Sequence, residues 1–132
     1  VKQARRTTDD LQDYLDAVDV IYFDGHLSEM GVTIKWLPPR RPKTMPLVAH
    51  YLHDERRIEL SRTLAFPWVP RQYVLQTIFH EALHALLGPE HDTHTKTFHL
   101  SEKQFVYSFE AREWERDNRR KLVRSPEPKG VV

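Results

Sequence analysis

The chain has 132 residues, 20 Lys plus Arg against 19 Asp plus Glu, a net charge of +1, 39% apolar residues and no cysteine. That length suits one domain with a real core, and the balanced charge excludes a whole-domain electrostatic claim on nucleic acid. The missing cysteines exclude a disulfide framework and a cysteine zinc ribbon, which suits an intracellular, cytoplasmic protein.

Residues 1–6 are polar, do not read as a signal peptide and are expected to fray. Thr8 with Asp9 and Asp10 reads as a helix start, the acids lying where the helix dipole favours them. Leu11, Tyr14, Leu15, Val18 and Ile21 then form an apolar stripe at helical spacing, and Asp24-Gly25 ends the helix. Gly31 to Trp36 alternates, with Val32, Ile34 and Trp36 on one side, and predicts a half-buried strand. Residues 38–46 carry four prolines with Arg40, Arg41 and Lys43, which reads as a basic loop. Leu47–Leu52 and Arg57–Leu60 predict two strands around Asp54-Glu55, with His50 and His53 as surface or packing histidines. Residues 61–69 read as an irregular connection.

Pro70 opens a segment, Arg71 to Leu87, free of Pro and Gly and rich in apolar residues at spacings of three and four; Gly88-Pro89 stops it. After a loop, Thr95 to about Val123 predicts one long helix with Phe98, Phe105 and Phe109 as its stripe and a basic last third. Residues 125–132 are expected to be a disordered tail, leaving 1–124 as a single domain. The fold class expected is α+β: an N-terminal helix, a small three-stranded sheet, a central helix and a long C-terminal helix. No stretch is apolar enough to span a membrane.

Within the central helix, residues 80–84 read His-Glu-Ala-Leu-His. Residues four apart lie on one helical face, so His80 and His84 can offer two imidazoles to one ion, with Glu81 beside them as a base. This is the pattern of zinc-assisted peptide hydrolysis, and catalytic zinc needs a third protein ligand. Glu90, His91, Asp92 and His94 follow closely. Glu90 falls where a metzincin spacing would place its third histidine, and His91 lies one residue later. A glutamate from the next helix, Glu102 or Glu110, is a further alternative. His94 has the best local support: it precedes Thr95, a helix-capping residue, and Phe98, which can anchor the new helix in the core. His99 is expected to be only nearby.

Five passages, in this order, resemble a SprT-like zinc metallopeptidase domain. Tyr22-Phe23-Asp24-Gly25-His26-Leu27 follows the first helix; Val32-Thr33-Ile34-Lys35-Trp36 and Arg57-Ile58-Glu59-Leu60-Ser61 resemble the family's strands; His80-Glu81-Ala82-Leu83-His84-Ala85 is followed by His94-Thr95-Lys96-Thr97-Phe98. The likeness covers roughly residues 8–110. It implies a minimal zincin-like fold, Zn2+ on His80, His84 and His94, and Glu81 as general base of a metalloendopeptidase acting on protein or peptide substrates. The chain departs from the family pattern in having Thr95 where Gly or Ser is usual, in a short loop between His84 and His94, and in lacking a cysteine-rich ribbon. Two other expectations stand beside the peptidase. One is a zinc-containing binding or scaffold domain whose fourth ligand is His91 or Asp92. The other is association with DNA, at the nucleoid or nucleus, through Arg40, Arg41, Lys43 and the basic end of the last helix. The chain is expected to be monomeric.

Overall fold

The computed structural model describes residues 4–38 and 48–124. The basic loop, Leu47 and the tail from 125 lie outside the described residues. The fold is α+β, as the sequence predicts, with five helices and a three-stranded sheet among the described residues.

Helix α1 spans Thr8–Tyr22, and its cap is Thr7 rather than Thr8. Thr7 Oγ1 accepts from the Asp10 backbone N–H at 3.1 Å, and the Asp10 carboxylate accepts from the Thr7 N–H at 2.8 Å. This reciprocal capping box satisfies two N–H groups that the helix leaves open. Arg6, expected to fray, is held instead: it donates to the carbonyls of Leu64, Phe66 and Val69 at 2.7–3.1 Å. Leu11, Leu15 and Val18 are buried as expected, whereas Ile21 is 70% exposed. The face turns inward one step earlier, at Asp19, whose buried carboxylate accepts from the N–H groups of Leu27 and Ser28 at 2.9 and 3.0 Å. That contact caps a short helix, α2 (His26–Met30), which the apolar pattern does not foretell.

Strand β1 (Thr33–Trp36) runs parallel to β3 (Arg57–Leu60), and β2 (Ala49–Leu52) pairs antiparallel with β3. The order β1-β3-β2 puts β3 in the centre and leaves β2 paired on one side only among the described residues. A 3-10 turn, Arg62–Ala65, leads to the central helix α3 (Arg71–Leu87), with Pro70 one residue ahead as its cap. Val74, Ile78 and Ala82 are fully buried and hold α3 in the core.

The long helix predicted from Thr95 is two helices, α4 (Lys96–Glu102) and α5 (Ser108–Arg124). The break between them turns Phe105 into a ring cluster with Phe79 and Tyr22, at centroid distances of 4.9 and 5.3 Å. Tyr22 Oη accepts from the Val106 N–H at 3.2 Å and fixes the turn to α1. The helical phase restarts after the break, so Phe109 is 71% exposed and Ala111 and Leu122 take the buried places. Among the described residues, no helix is long and apolar enough to cross a membrane.

Candidate metal centre

Helix α3 places the His80 and His84 rings 5.0 Å apart, centroid to centroid. Gly88 ends the helix at φ +89°, a torsion that disfavours any side chain, and a Cβ there would lie 2.8 Å from the Glu90 carboxylate. Glu90 is thus folded back over the turn. A second 3-10 turn (Pro89–His91) then carries the chain to His94.

His94 brings its ring to 4.9 Å from His80 and 5.0 Å from His84. Its backbone pays for this position: φ is +57°, in the left-handed region, which costs a residue with a Cβ roughly 1–2 kcal/mol. Thr95 follows as the cap of α4, accepting from the Phe98 N–H at 3.3 Å. The Thr95 hydroxyl also lies 2.6 Å from His91 Nδ1, which occupies His91 away from the centre. Phe98 is fully buried, and its ring stands 4.5–4.9 Å from all three imidazoles. The three histidines thus rest on one phenyl ring that belongs to the core.

One nitrogen from each of His80, His84 and His94 lies within 4.8 Å of the others, and among the described residues this is the group able to hold a metal ion. The donor set fits zinc. His84 Nε2 and His94 Nε2 are 3.1 Å apart, close to the ~3.3–3.4 Å that two imidazole nitrogens span on a tetrahedral ion with bonds of about 2.0–2.1 Å. Burial, with the neighbouring rings second, pushes His84 down to about 4 and lowers His94. Both rings are therefore neutral near pH 7, with lone pairs free for a cation. Burial also acts to lower His80, but its bond to Glu102 and the Glu81 charge outweigh it, and its pKa is raised.

Glu81 is 6% exposed. Its carboxylate lies 4.0 Å from His80 Nε2, beside the centre without joining it. Burial pushes this carboxyl up to about 7, against the pull of His80 and His50. The other candidate ligands are placed elsewhere. Glu102 bonds His80 Nδ1, the ring nitrogen next to Cβ. Asp92 faces His53 at 2.9 and 3.1 Å. Glu110 is exposed, and His99 sits 6.3 Å from the His94 ring. His50 meets Glu59 at 2.6 Å, a packing role, while His53 reaches the loop before His94 through Asp92.

Two clefts meet at the centre. One, of about 480 Å³, runs between α3 and α5 past Tyr73, Thr77 and Glu115. The other, of about 230 Å³, lies under β2 beside His50, Tyr51 and Asp92. His80, Glu81, His94 and Ala49 line both. Comparison of the chain with protein-family models, with curated proteins and with solved structures finds no match.

The left-handed torsion at His94 yields a first expected result. In metal-free protein, His94→Gly releases the torsion and His94→Ala does not, so the glycine variant should be the more stable of the two. Both remove one of the three nitrogens that could hold an ion, so metal affinity should fall. Thermal melts in chelator, with zinc titrations alongside, check both parts.

Proposed function

We propose that this chain is a zinc-dependent peptidase of SprT-like kind, with zinc on His80, His84 and His94 and Glu81 as general base. The observation that carries the reading is the buried Glu81 carboxylate, 4.0 Å from His80 Nε2, beside a three-histidine cluster where two clefts meet. The order of sequence motifs supports the same family.

Bound zinc supplies an acidified water and a Lewis acid for the scissile carbonyl. Three neutral imidazoles add no negative charge that would weaken either effect. Glu81 takes a proton from the attacking water on a carboxylate oxygen and returns it to the leaving amine. A dication held by the neighbouring histidines favours the ionised carboxyl, the form that can accept the proton. Its burial keeps the proton from exchanging with bulk water between the two transfers. Among the described residues β2 is paired on one side only, and that edge gives an extended peptide a backbone to bond, beside Ala49 at the meeting of the clefts. Such pairing accepts unfolded segments with little regard to side chain.

The test uses the purified chain and a denatured protein substrate. Cleavage is expected with one zinc per chain, is lost on chelation and returns with added zinc. A zinc-loaded chain that leaves the substrate intact would overturn the peptidase reading and favour a binding domain.

A further inference from the structure

Each histidine of α3 has a carboxylate of its own at Nδ1. His80 Nδ1 is bonded to Glu102, from α4. His84 Nδ1 is buried and lacks a hydrogen bond, yet Asp92 Oδ1 stands 3.3 Å away, close but out of line. Both acids are themselves held in place. Gln76, one turn before His80, donates its amide to Glu102 at 3.3 Å. His53, on the turn after β2, pins both oxygens of Asp92 at 2.9 and 3.1 Å. Neither acid joins the cluster of atoms that can share one ion.

An imidazole with its Nδ1 proton on a carboxylate has its Nε2 lone pair free, and its ring can no longer turn. We infer that Glu102 and Asp92 are positioning residues, Glu102 fixing the tautomer and orientation of His80 through its bond at Nδ1 and Asp92 favouring the same tautomer of His84 by its charge beside Nδ1, so that the metal-binding nitrogens are set before any ion arrives. The inference rests on the zinc reading for its purpose but not for its measurement. Three elements contribute: α4 carries Glu102, the loop before His94 carries Asp92, and the β2–β3 turn carries His53. The centre is thereby tied to the sheet and to α4 as well as to its own helix. The two acids differ in weight. The Glu102 side chain is 13% exposed and that of Asp92 is 48% exposed, so water screens the second contact more.

The experiment compares Glu102→Ala, Glu102→Gln, Asp92→Ala and Asp92→Asn with the parent. In metal-free protein, at a pH above the raised titration of His80, imidazole 15N shifts are expected to show Nδ1–H on His80 in the parent and a mixture in Glu102→Ala. Zinc affinity, from competition with a chromophoric chelator, should fall about 10–100-fold, nearer the upper figure for Glu102→Ala and nearer the lower for Asp92→Ala. The amide variants keep an acceptor and should recover part of the loss. Their cobalt forms should keep the parent's four-coordinate absorption, because no ligand has been removed. A changed cobalt spectrum in either acid's variants would make that acid a ligand and overturn the inference. So would folded alanine variants with parental affinity and parental tautomers. In both cases the peptidase reading stands or falls separately, on substrate cleavage by the parent.

Discussion

Glu81→Gln is expected to keep one zinc per chain and to lower kcat/KM for peptide cleavage by about 10²–10⁴-fold, the usual contribution of a positioned general base. The substitution is nearly isosteric, and the side chain is buried, so the fold around it should hold. Glu81 is not in the group of atoms that can share an ion, so zinc should remain. The variant also carries a pH signature. The folded Glu81 carboxyl titrates at about 7, against an ordinary value of 4.5. In metal-free protein it binds its proton more tightly when folded, so its contribution to stability is lost as pH rises from about 4.5 to 7. The glutamine variant has no such proton. Its metal-free Tm should therefore gain on the parent's across that window, match its trend below it, and stay ahead above pH 7. Parental cleavage by Glu81→Gln would remove Glu81 as the base. A parental Tm profile would remove the burial argument for its pKa.

Phe98 carries the second large effect. It is fully buried and touches the rings of all three candidate ligands. Phe98→Ala is expected to cost about 3–5 kcal/mol, the transfer free energy of the ring plus the cavity left behind. Against the ~5–15 kcal/mol total of a domain, that is a large fraction. It should show as a lower urea midpoint with an unchanged slope. Phe98→Leu separates core from site. Leucine refills much of the volume, so most stability should return. It does not restore a flat ring against three imidazoles, so zinc affinity should stay below the parent's. If Phe98→Leu binds zinc as the parent does, Phe98 is a core residue alone.

What was legible in the sequence is what local geometry controls. The pairing of His80 and His84 follows from helical pitch, and the stop at Gly88 from a torsion that glycine tolerates. His94 was traceable because Thr95 and Phe98 mark a helix start within four residues of it. The misreadings lie where a distant contact decides. Nothing near Phe105 announces that Phe79 and Tyr22 will draw it inward and break the predicted helix, leaving Phe109 outside. Asp19 reads as one more polar residue of α1 until the N–H groups of α2 arrive at its carboxylate. The same holds for Glu102 and Asp92. Their position after the motif invites a ligand role for both. Their places beside the Nδ1 atoms depend on how α4 and the 89–94 loop pack against α3.

The three candidate ligands lie between His80 and His94 in the chain. A bound ion would therefore bridge near neighbours, ten residues apart from His84 to His94. A bridge of so short a span removes little freedom from the unfolded chain beyond what folding of α3 and its loop already removes. Nor does it join the two ends of the protein. The polypeptide should thus reach its native shape without metal, with the ion tightening the loop before α4 rather than nucleating the fold. Supply of the ion would then decide whether the centre is filled, not whether the chain folds.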